Sequence, residues 1–362
     1  MTVERQRLLV FAGSYSEAED SGIYVYAFDE ETGTLTLTDE FAGLKNPTFL
    51  NVNADRSLLY SISETVSAEG NKIGEAAAFA IDAAGGKIRL MNREITVDST
   101  TCHIQRDAAS RYLTVTSYHG GMIGLFSIAE DGKVGRKLDV QQHAGSSWHP
   151  ERQDRPHPHS SIYSPDGRYL LVSDLGLDRI VTYSVDEGKQ KLIKIDEVSL
   201  HPGAGPRHLA FHPNGEYVYA INEVDSTITS FSYDAEKGRI TVKDNVSTLP
   251  AGFAEDNSCA EITISADGKY LYGSNRGHDS IVVFAIDELS GLLKLVQHVS
   301  VGGVHPRHFA LTPNGRYLIA ANRDTDNIVT FKVDQESGKL QDTGKSVIVS
   351  KPVCVVPVYL MT

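Results

Sequence analysis

The 362-residue chain predicts an all-β fold, a seven-bladed β-propeller with four antiparallel strands per blade, and three features carry that expectation. The first is a run of β-branched and aromatic residues ending in a turn, present seven times: GIYVYAFD from Gly22, EAAAFAID from Glu75, MIGLFSIA from Met122, RIVTYSVD from Arg179, TITSFSYD from Thr227, SIVVFAID from Ser280 and NIVTFKVD from Asn327. The second is a block that precedes six of them, clearest in HPHSSIYSPDGRYLLVSD, GPRHLAFHPNGEYVYAIN, CAEITISADGKYLYGSN and HPRHFALTPNGRYLIAAN. Each block holds a short strand, a glycine turn and a second alternating strand. The third is the period. Aligning Arg56, Ser110, Gly167, Gly215, Gly268 and Gly315 gives spacings of 54, 57, 48, 53 and 47 residues, near the ~40 to 50 of four-stranded blades.

Taken in order, one unit is strand A, an Asp-Gly or Asn-Gly hairpin, strand B, a loop, strand C, a glycine turn such as DEETGTL or DELSGLL, and strand D. The first unit lacks an A strand, because RLLVFAGS matches strand B directly. The final segment KPVCVVPV, from Lys351, matches an A strand with nothing after it. The C-terminal strand is therefore expected to complete the N-terminal blade, closing the ring and leaving only short outer edges. In the next two units ADRS and AASR, around Ala54 and Ala109, replace the PDG turn, a change expected to touch only hairpin geometry.

No Pro/Ser-rich linker interrupts the repeat, so residues 1–362 are expected to form one domain. The start MTVERQRLLVFAG is polar and runs straight into a strand, and no apolar run approaches the ~18 residues of a membrane span. A soluble, cytoplasmic protein is the expectation. Cys102, Cys259 and Cys354 have no metal or redox spacing and are expected as buried free thiols in inner strands. The net charge of −13 argues against nucleic acid or an anionic membrane as partner, and oligomeric state is not legible.

Strands A and B are antiparallel neighbours, so the starts of A and the ends of B converge on one face of the ring beside the central channel. The starts of A carry His103, His157 and His159, Arg207 and His208, Glu261, and His305, Arg307 and His308. The ends of B carry Glu64, Tyr118 and His119, Asp174, Asn222 and Glu223, Asn275 and Arg276, and Asn322 and Arg323. Asp174, Asn222, Asn275 and Asn322 are expected to hold the following turns through their short side chains. Convergent guanidiniums repel one another, so their convergence calls for an anion, and the planar Arg fork suits carboxylate or phosphate.

The segments TTCHI with SYHGG, RQDRPHPHS with SDLGLDRI, GPRHLAFHPNG with INEVDS, CAEITIS with SNRGHDSI, and HPRHFALTPNG together resemble the seven-bladed propeller lactonase family, in order and over nearly the whole chain. That resemblance implies a site at His159, Arg207, Glu223 and Arg276. It implies hydrolysis of an anionic sugar lactone, chiefly 6-phosphogluconolactone of the pentose phosphate route. The family also includes a cycloisomerase of a muconate-like acid, which would use the same arginines but needs an apolar pocket.

Lactone hydrolysis needs a water deprotonated as it attacks, and donors or positive charge where the oxyanion develops. His159 and Glu223 are jointly assigned acid/base work. Arg207 and Arg276 are assigned to the oxyanion and to substrate anion contacts. His103, His157, His208, Glu261, Arg307, His308 and Arg323 are expected to bind substrate. Neither cofactor nor metal is expected. No GxSxG elbow, Walker loop or HExxH occurs, and GAGPRH lacks the third glycine of a dinucleotide fingerprint. Pro156 and Pro158 lock the backbone on either side of His157, against a two-histidine metal site. A non-catalytic propeller presenting its face to a protein would favour exposed aromatics, and the chain has one tryptophan, Trp148.

Overall fold

The computed structural model describes residues 6–362, nearly all in strands and turns. Among the described residues the strands form seven antiparallel sheets of four. Blade one takes its innermost strand from the far end of the chain: Pro352–Met361 pairs with Gln6–Ser14, Leu9 opposite Val358 and Gly13 opposite Cys354. The clasp runs three residues past the segment that ends at Val358 in the sequence pattern. Blades two to seven follow as residues 50–95, 103–142, 158–199, 206–247, 258–300 and 306–348. The innermost strands touch their neighbours all the way round, Pro306–Leu311 against Pro352–Met361 and Pro352–Met361 against Leu50–Asn53.

Blades pack face to face, so the B and C strands are apolar on both sides rather than alternating. Along Gln6–Ser14 the side chains feed two cores. Leu9 and Phe11 meet Leu59, Ala77 and Phe79 of blade two, while Leu8, Val10 and Ala12 meet Tyr317 and Ile319 of blade seven. The perimeter strands face water, as in Arg239–Ser247, which is mostly exposed. Neighbouring blades are also tied by buried tyrosines of strand B whose hydroxyls donate to a glycine carbonyl in the next blade's C–D turn: Tyr60 to Gly132 (2.8 Å), Tyr219 to Gly291 (2.8 Å) and Tyr272 to Gly338 (2.9 Å). At Gly291 φ is +68°, and a Cβ would stand 2.6 Å from the Tyr217 ring, so only glycine fits.

The A–B hairpins of blades four to seven turn on Gly167, Gly215, Gly268 and Gly315, all at positive φ. Ser110 takes that place in blade three at φ 54°. In blade two it falls to Ser57 at φ 50°, one residue beyond the Arg56 of the sequence alignment. Among the described residues no helix is long and apolar enough to cross a membrane.

Candidate active site

Four inner strands open at the channel face with proline: Pro158, Pro206, Pro306 and Pro352. A first strand position tolerates the missing N–H. In each case the register then slips. Pro158 faces Asp174 but Ser160 faces Ser173, Pro206 faces Asn222 but His208 faces Ile221, and Pro306 faces Asn322 but His308 faces Ala321. The supernumerary residues are His159, Arg207 and Arg307, with Val353 their counterpart in blade one. In blade six Ala260 and Glu261 together stand opposite Ser274. A bulge breaks the two-residue alternation of a strand and re-aims side chains. That is why consecutive residues, Arg207 with His208 and Arg307 with His308, all line one cavity.

The cavity, of about 240 Å³, is slightly smaller than the usual small-molecule pocket. His159, Arg207, His208, Glu223, Arg307 and His308 line it, together with Arg152, Tyr118, Glu64, Tyr15, Phe49 and Cys102. Its electrostatic centre is Glu223, only 6% exposed. Oε2 lies 3.0 Å from Nε of Arg207 and 2.9 Å from Nη2 of Arg276, and Oε1 accepts from Nη2 of Arg152. Burial pushes the Glu223 carboxyl up, but Arg276, Arg207, Arg152 and Arg307 outweigh it and hold it well below the carboxylate range. Arg207 also donates Nη1 to the Ala260 carbonyl (2.7 Å), and burial, with Arg307 and Arg276 close by, lowers it to about 9.

The floor is imidazole. Glu261 accepts from Nδ1 of His208 (3.0 Å) and lies 3.1 Å from Nε2 of His308. The Val355 N–H donates to His308 Nδ1 (3.3 Å), which leaves the His308 proton on Nε2, facing Glu261. Burial drives His308 down to about 4, and burial with the charge of Arg207 holds His103, His159 and His208 well below 6.5. Burial raises Glu261 against the pull of His308 and Arg207. His159 packs edge-on to Tyr118 and His208, and its buried Nδ1 has no hydrogen-bond partner among the described residues. Its ring lines the cavity, where burial and the charge of Arg207 favour the neutral imidazole.

Five of the sequence candidates stand off the cavity wall. Arg276 lies behind Glu223, 2.9 Å from its Oε2, and donates to the carbonyls of Ser258 (3.2 Å) and Cys259 (2.5 Å). Glu261 sits beneath the two histidines it binds, and His103 packs at a tilt against Phe49 with centroids 4.2 Å apart. His157 stacks on Tyr118 at 4.2 Å and bonds its carbonyl (2.7 Å), bracing that wall from outside. Arg323 is taken up by Asp324 at 2.6 and 3.1 Å. Asp174 accepts from the backbone N–H groups of His157 and Leu177, and Asn275 and Asn322 donate to the Thr248 and Val301 carbonyls, holding turns. All three cysteines are free, but Cys102 just precedes its inner strand and is partly exposed on the cavity wall, unlike the buried Cys259 and Cys354. Among the described residues no three His, Cys, Asp or Glu side chains are grouped to hold a metal ion.

Arg152 escapes the repeat. It lies in residues 143–157, the longest link between blades, and a long loop in a compact fold is itself a functional signal. Asp178 anchors that loop. Its carboxylate accepts from Gln153 (2.6 Å) and Ser147 (2.5 Å), and from the backbone N–H groups of Gly203 and Gly205 (both 2.7 Å). One buried carboxylate thus sets the approach of both Arg152 and Arg207.

This architecture has close counterparts. The 6-phosphogluconolactonase of Bacillus subtilis (strain 168) is 34% identical over 303 residues, 84% of each chain. The solved structure of the periplasmic gluconolactonase of Pseudomonas aeruginosa superposes with a TM-score of 0.91 at 31% identity, covering 97% of this chain and 99% of that one. A Lactobacillus plantarum protein of known structure superposes at 0.89 with 34% identity over 98% of this chain and all of that one. The family model described as lactonase, 7-bladed beta-propeller, matches residues 9–357. With that match running over nearly the whole seven-bladed ring, the chain belongs to the seven-bladed β-propeller lactonase family.

Proposed function

We propose that the protein hydrolyses an anionic sugar lactone, 6-phosphogluconolactone, to the open acid, with His159 as general base. The observation that carries this is an imidazole with an unpartnered Nδ1, favoured neutral by burial, on the wall of a cavity rich in guanidinium. Water attacks the lactone carbonyl as His159 takes its proton, forming the new C–O bond, and the tetrahedral oxyanion develops beside Arg207. Collapse breaks the ring C–O bond, and His159 returns the proton to the departing alkoxide. Glu223 is too weak a base for this with three guanidiniums on it; its work is to keep Arg207 in place. The named activities of the B. subtilis and P. aeruginosa relatives support the substrate class. A cavity walled chiefly by charged and imidazole groups is a poor host for the diene of a muconate-like acid. Free thiols without a disulfide fit a reducing compartment, and we assign the protein to the cytoplasm.

The test is initial-rate hydrolysis of phosphorylated and unphosphorylated lactones, corrected for spontaneous opening. His159→Gln should lower kcat by about 10²- to 10⁴-fold. Because His159 is depressed, its basic form persists as pH falls through 6.5; the acid limb of kcat/KM should therefore lie below that value. Wild-type rates equal to the spontaneous rate, a limb at 6.5 or above, or an active His159→Gln would each defeat the assignment.

A further inference from the structure

Arg307 differs from every other arginine near the site. Arg152, Arg207 and Arg276 hold Glu223, Arg207 and Arg276 also hold backbone carbonyls, and Arg323 holds Asp324. Among the described residues Arg307 has no hydrogen-bonded or ion-paired acceptor, and its Cζ lies 5.9 Å from the centroid of the Tyr15 ring. It occupies the same bulge position as His159 and Arg207, so the backbone commits its side chain to the cavity, and it is more exposed than either. On the cavity wall Arg152, Arg207 and Arg307 stand against the carboxylates of Glu64 and Glu223, with Arg276 and Glu261 both just off it. The wall thus carries one guanidinium in excess of its carboxylates, and a phosphate monoester is an anion that such a free guanidinium recognises. Deeper in, His159 and His208 present buried ring nitrogens without partners, suited to sugar hydroxyls rather than to an anion.

We infer that Arg307 is the phosphate-recognising and specificity-determining residue of this site: the substrate enters with its lactone ring on the imidazole floor and its phosphate at the Arg307 and Tyr15 side. This rests on the lactone-hydrolase reading and fixes the orientation of the substrate within it. An unpaired guanidinium holds nothing in the fold, so its removal should leave the melting temperature unchanged and act on one class of substrate alone.

The experiment compares Arg307→Gln with wild type on 6-phosphogluconolactone and on unphosphorylated gluconolactone, with calorimetric binding of inorganic phosphate and 6-phosphogluconate alongside. Loss of one charge-assisted contact should raise KM for the phosphorylated lactone about 10- to 100-fold with kcat nearly kept. Values for the unphosphorylated lactone should stay within about twofold, and phosphate binding should weaken in parallel. Equal losses on both lactones would place Arg307 at the carbonyl and overturn the assignment, as would no loss on either. If wild type opened neither lactone, the hydrolase reading would fall, while the binding arm would still decide the subsite. Phosphate bound equally by wild type and variant would refute it, and phosphate lost only in Arg307→Gln would uphold it.

Discussion

At the scale of single residues the site is governed by one buried carboxylate. Glu223 gathers Arg152, Arg207 and Arg276 within ion-pair distance, and those guanidiniums would otherwise repel one another in a poorly solvated place. Breaking such a cluster from one side leaves uncompensated buried charge, which costs far more than an exposed pair is worth. Glu223→Gln should therefore lower unfolding stability by about 3 to 5 kcal/mol as well as slowing hydrolysis through a displaced Arg207. Denaturant unfolding read beside steady-state kinetics checks this. A variant of wild-type stability that has lost kcat would instead make Glu223 a direct participant in proton transfer. The pairing was only half legible in the sequence. Glu223, Arg207 and Arg276 fall at repeated positions and could be placed on one face by strand order, whereas Arg152 lies in a link with no counterpart in other blades, and which of His159 and Glu223 is the base depends on partners no spacing reveals.

At the scale of elements, two devices recur. The proline-initiated bulge puts one extra residue on the channel side of blades four, five and seven, and a two-residue strand period cannot anticipate it. Strand order alone brings Arg207 and His208 to the channel face, and the register slip is what lets both neighbours turn inward. The Pro-His and Pro-Arg dipeptides at 158, 206 and 306 were the visible trace of that slip. The second device is the tyrosine tie between blades. Tyr219 is fully buried and donates to the Gly291 carbonyl across the interface. Tyr219→Phe leaves that acceptor unmatched without opening a cavity, so stability should fall by about 1 to 3 kcal/mol with kinetics intact. Unchanged unfolding in that variant would show that apolar packing alone joins these blades. The strand repeats themselves were readable throughout, since four-stranded periodicity is written in turn residues and β-branched runs; Ser57 and Ser110 show that the left-handed turn position survives where glycine does not.

At the scale of the whole molecule, closure is what makes seven weak sheets one object. A blade alone buries one face at most, and each core here is shared between neighbours, so every blade depends on two others. The clasp Pro352–Met361 serves both sides: Val355 packs into the core shared with blade seven and Cys354 into that shared with blade two, while Val353 lines the cavity. We propose from this that the chain behaves as one domain. Deleting residues 350–362 would expose the edge of Gln6–Ser14 and open two cores at once, and an unpaired inner strand is a template for aggregation. The truncated chain should be insoluble, or should melt far below wild type in one transition, because loss at the clasp propagates round the ring. It should also lose lactone turnover, since His308 would lack the Val355 N–H that fixes its tautomer. A soluble truncation melting with the wild-type protein would show that the ring holds without its clasp; two separate transitions would show that blade one unfolds alone and that the chain is not a single cooperative unit.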